Sequence, residues 1–202
     1  MLARLQKPAL FLLALVPAAW LAWRTLHDLL GANPVEELEL TTGIWAFRFL
    51  LISLAITPLR RLTGWNRAVQ FRRMLGLFAF AYATAHLLIY VVLDQGLALE
   101  YILKDVVKRR FITAGMFAFV LMVPLAVTST KGWIRRLGRR WQSLHRLVYV
   151  SAIAAALHFI WKVKVVIGEP VYYAGILAIL LAVRLLWRRR VAASPRRQPA
   201  QA

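Results

Sequence analysis

Six apolar runs, each of about 17 to 22 residues, divide this chain at approximately Pro8–Leu29, Gly43–Leu59, Met74–Leu93, Phe111–Thr128, Trp141–Trp161 and Val171–Trp187. Each comes close to the roughly 20 residues with which a helix crosses the apolar core of a bilayer. In lipid every backbone N–H and C=O must be satisfied within the protein, which leaves only helices and closed barrels. The runs lack the alternation of apolar and polar residues that barrel strands show, so the sequence predicts an all-α integral membrane protein, a six-transmembrane-helix bundle. Apolar residues make up 61% of the 202 and no long polar stretch intervenes, so a single transmembrane domain is expected over residues 1–191. The remainder, 192–202, reads as a flexible cytoplasmic tail.

Arg4 and Lys7 ahead of the first run imitate a secretory signal, but that run is longer than the about 7–15 residues of a signal core and no small-residue cleavage site follows it. It is read as a membrane helix. Pro8 and Pro170 are expected to open helices, where a missing N–H is harmless, and Pro58 and Pro124 to lie near helix ends.

Charge sets the orientation. With the N-terminus cytoplasmic, most of the 27 basic residues fall inside: Arg4 and Lys7, Arg60 to Arg73, Lys131 to Arg146, and the arginines from Arg184 onward. All eight acidic residues, from Asp28 to Glu169, fall outside or at the outer boundary, among them those of the "NPVEELEL" segment. The positive-inside rule then places both termini in the cytoplasm of a multi-pass membrane protein. A net charge of +19 would suggest nucleic acid in a soluble protein. Here it lies at the cytoplasmic ends of helices, where topology and anionic membrane lipid account for it, and no nucleic-acid partner is expected. The absence of cysteine removes disulfides, thiolate-ligated haem and iron–sulfur clusters.

Histidine then carries the chemistry. An ionisable residue within a span is costly and by default faces the bundle interior. His86, in "LGLFAFAYATAHLLIY", and His158, in "LHFIWK", both fall in the outer half of outward-running spans, offset by about 7 Å along the membrane normal, and are placed to face each other across one planar group. His145 lies about 20 Å back from His158 toward the cytoplasmic side, and on a straight helix the two point about 140° apart, so either the helix bends or two groups are served. His27, at the outer end of the first span, reads as a solvated boundary residue. Zinc asks for three or four converging ligands that these runs do not supply. A proton relay calls for buried Asp or Glu, which the spans lack. Haem held between two imidazoles meets the pattern, with histidines that merely satisfy hydrogen bonds in the bundle as the alternative. Met74 is a second candidate axial ligand beside His145, and Arg72, Arg73, Arg139 and Arg140 are candidate contacts for haem propionates, or simply topology anchors. No glycine-rich dinucleotide fingerprint is present.

The segments "TTGIWAFRFLLISLAITPLRRLTGW", "FRRMLGLFAFAYATAHLLIY", "VVKRRFITAGM", "PLAVTSTKGWIRRLGRRWQSLHRLVYV" and "LHFIWKVK" resemble the MsrQ (YedZ) family. Its members are haem-binding membrane subunits of bacterial protein-methionine-sulfoxide reductase systems, within the ferric-reductase-like transmembrane superfamily. The similarity runs from about Thr41 to Trp187. The resemblance implies b-type haem, one or two per chain, ligated by His86, His158 and His145, and FMN. It implies electrons drawn from quinol or a cytoplasmic flavin reductase. They would pass to a periplasmic molybdopterin subunit that reduces methionine sulfoxide in oxidised proteins, the chemistry residing in that partner. The chain would then be an electron-transfer component of an oxidoreductase. A b-type cytochrome serving another periplasmic acceptor, or a non-redox transporter or scaffold, are the alternatives.

Overall fold

The computed structural model describes residues 2–163 and 168–193, and among these every regular element is helical. Lys164 and most of the expected tail, from residue 194 onward, lie outside the described residues. In chain order the helices are α1 (Leu2–Leu26), α2 (Pro34–Thr63), α3 (Val69–Leu88), α4 (Leu99–Lys108), α5 (Arg110–Val127), α6 (Lys131–Leu137), α7 (Arg139–Leu144), α8 (Leu147–Lys162) and α9 (Glu169–Ala193). A 3₁₀ turn at Asn66–Ala68 leads into α3, and a π-helical segment, Ile89–Asp94, prolongs it. Among the described residues six stretches are long and apolar enough to cross a membrane: Leu5–Leu26, Pro34–Thr63, Asn66–Asp94, Arg110–Val127, Arg139–Lys162 and Glu169–Trp187. The protein is a multi-pass helical membrane protein.

Several elements depart from the sequence expectation. The second helix is 30 residues long and begins in the acidic segment expected to be a loop. Asn33 caps it, its side-chain oxygen accepting the Glu36 N–H at 3.3 Å, Pro34 occupies the first turn, and Glu36 and Glu37 sit where the helix dipole favours carboxylates. Hydropathy marks where the bilayer ends, and a helix started by a cap runs on past that edge. Pro8, expected to open α1, lies inside it together with Pro17. The fifth span is not one straight helix: the chain turns at His145 and Arg146, between α7 and α8. The expected outer loop between the third and fourth spans contains α4.

Two hairpins, α2 with α3 and α5 with α8, pack most extensively and form the centre of the bundle. Small side chains bring the helices close: Ala79, Ala152 and Ser151 are wholly buried, and the Ser151 hydroxyl donates to the Ala118 carbonyl at 2.9 Å. Phe49 on α2 packs against Phe78 and Tyr82 on α3, and Phe47 on α2 meets Phe159 on α8 and Tyr173 on α9. The prolines are met by specific partners. Beside Pro17 the Tyr82 hydroxyl enters the α1 ladder, accepting the Ala18 N–H at 3.0 Å and donating to the Ala14 carbonyl at 2.9 Å. Pro58 has no N–H for the Leu54 carbonyl, and that carbonyl accepts from the guanidinium of Arg184 on α9. Arg184 also donates to the Tyr149 hydroxyl at 2.6 Å, which ties α9 to α2 and α8.

Candidate functional site

His86 lies in the last turn of α3, directly before the π-helical segment, and His158 lies one turn from the end of α8. π-helical segments are rare and favour functional sites. The two imidazoles face the same cavity among α2, α3, α5 and α8, with ring centres 6.0 Å apart and planes inclined at 78°. Phe47, Phe111, Phe119 and Phe159 supply much of its apolar wall.

Each ring is held from behind. His86 Nδ1 lies 2.9 Å from the Glu39 carbonyl on α2, and His158 Nδ1 lies 2.7 Å from the Phe111 carbonyl on α5. A carbonyl oxygen only accepts, so both Nδ1 atoms carry the proton and both Nε2 atoms keep a free lone pair. Fixing a histidine through its second nitrogen is how proteins orient imidazole toward a metal.

The spacing agrees with that chemistry. An imidazole nitrogen lies about 2 Å from a first-row metal ion, and adding about 1.1 Å from nitrogen to ring centre on each side of one iron gives roughly 6 Å between ring centres. Among the described residues no three His, Asp or Glu side chains gather as they would around a bare metal ion. The donor set therefore suits a metal whose remaining ligands come from a planar macrocycle.

His145 stands apart from this pair, in the turn between α7 and α8. Its ring stacks on Trp141 with centres 3.9 Å apart, and its Nε2 lies 3.1 Å from the Thr128 hydroxyl. That hydroxyl gives its single proton to the Pro124 carbonyl at 2.6 Å, so His145 Nε2 donates and the free lone pair is on Nδ1, the reverse of the other two histidines. His27 is exposed, with Nδ1 2.8 Å from the Trp23 carbonyl.

The other sequence candidates lie toward the opposite end of α3 or on α7. Arg72 is half-buried, with its carbonyl accepting from Ser53, Met74 packs against the core, and Arg73, Arg139 and Arg140 are exposed. None of them lines the cavity of His86 and His158, whose cations are Arg109 and Lys162 and whose acids are Glu39 and Asp94. Sequence reasoning passed over Arg109 and Lys162 because it counted them only toward topology. The carbonyls of Glu39 and Phe111 leave no side-chain signal at all. Arg48, within the second span, donates to the Tyr173 hydroxyl at 2.7 Å and lies 4.8 Å from the centre of the Trp45 ring. Arg24 pairs with Glu37, which also accepts the Gly31 N–H at 2.7 Å and so closes the α1–α2 connection.

Comparison with known proteins agrees with this architecture. The family model described as "Ferric reductase like transmembrane component" matches residues 42–156, which takes in His86 and His145 and stops two residues short of His158. The protein-methionine-sulfoxide reductase heme-binding subunit MsrQ of Xanthomonas oryzae pv. oryzae is 53% identical over 170 residues, covering 84% of this chain and 78% of its own length. Its namesakes from Xanthomonas campestris pv. campestris and Herminiimonas arsenicoxydans are both 51% identical. The first aligns over 91% of this chain and 86% of its own length, the second over 90% and 84%. No solved structure matches the chain. With the relatives aligned along most of its length and the six-helix architecture in place, the chain belongs to the MsrQ family of ferric-reductase-like transmembrane proteins.

Proposed function

We propose that this protein is the haem-binding electron-transfer subunit of a bacterial protein-methionine-sulfoxide reductase system. The observation that carries the reading is the pair His86 and His158, 6.0 Å apart between ring centres with each Nδ1 given to a carbonyl. The relatives' printed names, heme-binding subunits of that system, point the same way. His86 and His158 hold a b-type haem by their Nε2 atoms, in one domain over residues 1–191 set in the inner membrane with both termini cytoplasmic. When bound, the haem supplies one-electron redox chemistry.

The chain's own residues do the rest. The phenylalanine walls make the site largely apolar, and Arg109 and Lys162 at the acidic end are placed to neutralise haem carboxylates. Electrons enter from quinol or a cytoplasmic flavin reductase and leave at the acidic, periplasmic end, where α4 and the mouth of the cavity meet a molybdopterin catalytic subunit. Methionine-sulfoxide reduction takes place in that partner. At the basic end Arg72, Arg73, Arg139 and Arg140 offer phosphate contacts for FMN. At that end His145, with its free lone pair on Nδ1, would be the residue to hold an inner haem, and Met74 on α3 is the candidate sulfur ligand.

The test is a reduced-minus-oxidised absorption spectrum of purified protein beside His86→Ala and His158→Ala. Wild type is expected to show the α band of low-spin b-type haem, and each variant to lose it while eluting as a folded protein. Wild type lacking haem after haem-replete expression contradicts the reading.

A further inference from the structure

The two histidine sites are copies of one device. From the Glu39 carbonyl to His86 is 47 residues, and from the Phe111 carbonyl to His158 is also 47. One helical turn beyond each carbonyl, four residues on, stands a glycine: Gly43 on α2 and Gly115 on α5. The paired helices run in the same sense in both halves, since α2 and α5 lead away from the acidic end and α3 and α8 return to it. The chain thus repeats a hairpin in which the first helix contributes a carbonyl and a glycine and the second a histidine.

Both glycines lie against the imidazoles. A Cβ at Gly115 would come within 2.6 Å of His158 Nδ1, 3.0 Å of Cε1 and 3.2 Å of Cγ. At Gly43 it would come within 3.2 Å of both Nδ1 and Cε1 of His86. The first distance lies well inside van der Waals contact, and the ring cannot simply retreat while its Nδ1 is held 2.7 Å from the Phe111 carbonyl. The second is tight enough to ask for a shift of a few tenths of an ångström. Either helix would otherwise accept alanine, since glycine is the weaker helix former.

We propose that Gly43 and Gly115 are positioning residues, the floors of a duplicated clamp that, with the carbonyls of Glu39 and Phe111, fixes the rotation of each ligand imidazole and holds the two ring planes nearly perpendicular. The inference rests on the haem reading above and adds to it how the ligands are aimed. Imidazole planes set near 90° across a ferric haem give a strongly anisotropic low-spin signal with one dominant large g-value, whereas near-parallel planes give an ordinary rhombic spectrum.

The test is electron paramagnetic resonance of the oxidised, haem-loaded protein, with haem content measured on the same samples. Wild type is expected to show the anisotropic signal. Gly115→Ala is expected to lose it to a rhombic or high-spin signal, and Gly43→Ala to move the largest g-value by less at full haem content. Gly175→Ala, where a Cβ would meet nothing within 4 Å, is expected to match wild type. A rhombic wild-type spectrum, or wild-type g-values in haem-loaded Gly115→Ala, overturns the inference while leaving the haem reading intact. If Gly115→Ala does not accumulate, an unchanged largest g-value in Gly43→Ala overturns it. Wild type that binds no haem removes the haem reading and this inference together.

Discussion

Three histidines in this bundle differ in which ring nitrogen is free, and their hydrogen-bond partners decide the difference. His86 and His158 give Nδ1 to carbonyls, whereas His145 gives Nε2 to a hydroxyl already committed to Pro124. His145→Ala is therefore expected to leave the low-spin centre of His86 and His158 unchanged in g-value while removing any inner haem. Haem content per chain before and after the substitution checks this, and loss of the His86/His158 signal in His145→Ala would contradict it. At this scale the sequence was informative about side chains and silent about backbone. An ionisable ring in an apolar run is conspicuous because burying it is costly, so His86 and His158 were legible. The carbonyls that orient them belong to residues with no distinguishing chemistry, and pairs 47 apart in sequence become neighbours only through the hairpins. Gly43 and Gly115, with no side chain to mark them, gave no signal of their own in the sequence.

Individual helices owe their form to caps, prolines and the partners that meet them. Hydropathy located the six crossings but misjudged α2, whose start is set by Asn33, Pro34 and two glutamates. It gives no sign of the short helix α4 in the outer loop, while the turn at His145 matches the bend that the offset of His145 from His158 offers as one of two options. Proline is the clearest example of an element read correctly for one reason and used for another. Pro58 was expected near a helix end, and in the structure it also exposes the Leu54 carbonyl to Arg184. Removing Arg184 leaves that carbonyl without a donor in an apolar interior, a loss of about 1–3 kcal/mol. Arg184→Met is expected to lower the melting temperature of the detergent-solubilised protein. Adding Pro58→Ala, which restores a ladder N–H, is expected to recover part of the loss, and strict additivity in this double-mutant cycle would contradict the assignment.

Across the whole molecule, charge and chemistry follow the same axis. The acids from Glu36 to Asp105 mark the end that holds His86 and His158, and the arginine-rich turns of α6 and α7 mark the other. In the proposed conduit the cation-rich end is the donor side and the site of His86 and His158 lies near the exit. The most direct test of this account is transmembrane electron transfer in sealed vesicles carrying the haem-loaded protein, with an impermeant reductant trapped inside and ferricyanide outside. Wild type is expected to reduce the external ferricyanide well above the rate of protein-free vesicles, and His158→Ala to fall back to that rate. Haem-loaded wild type no faster than protein-free vesicles would contradict the account.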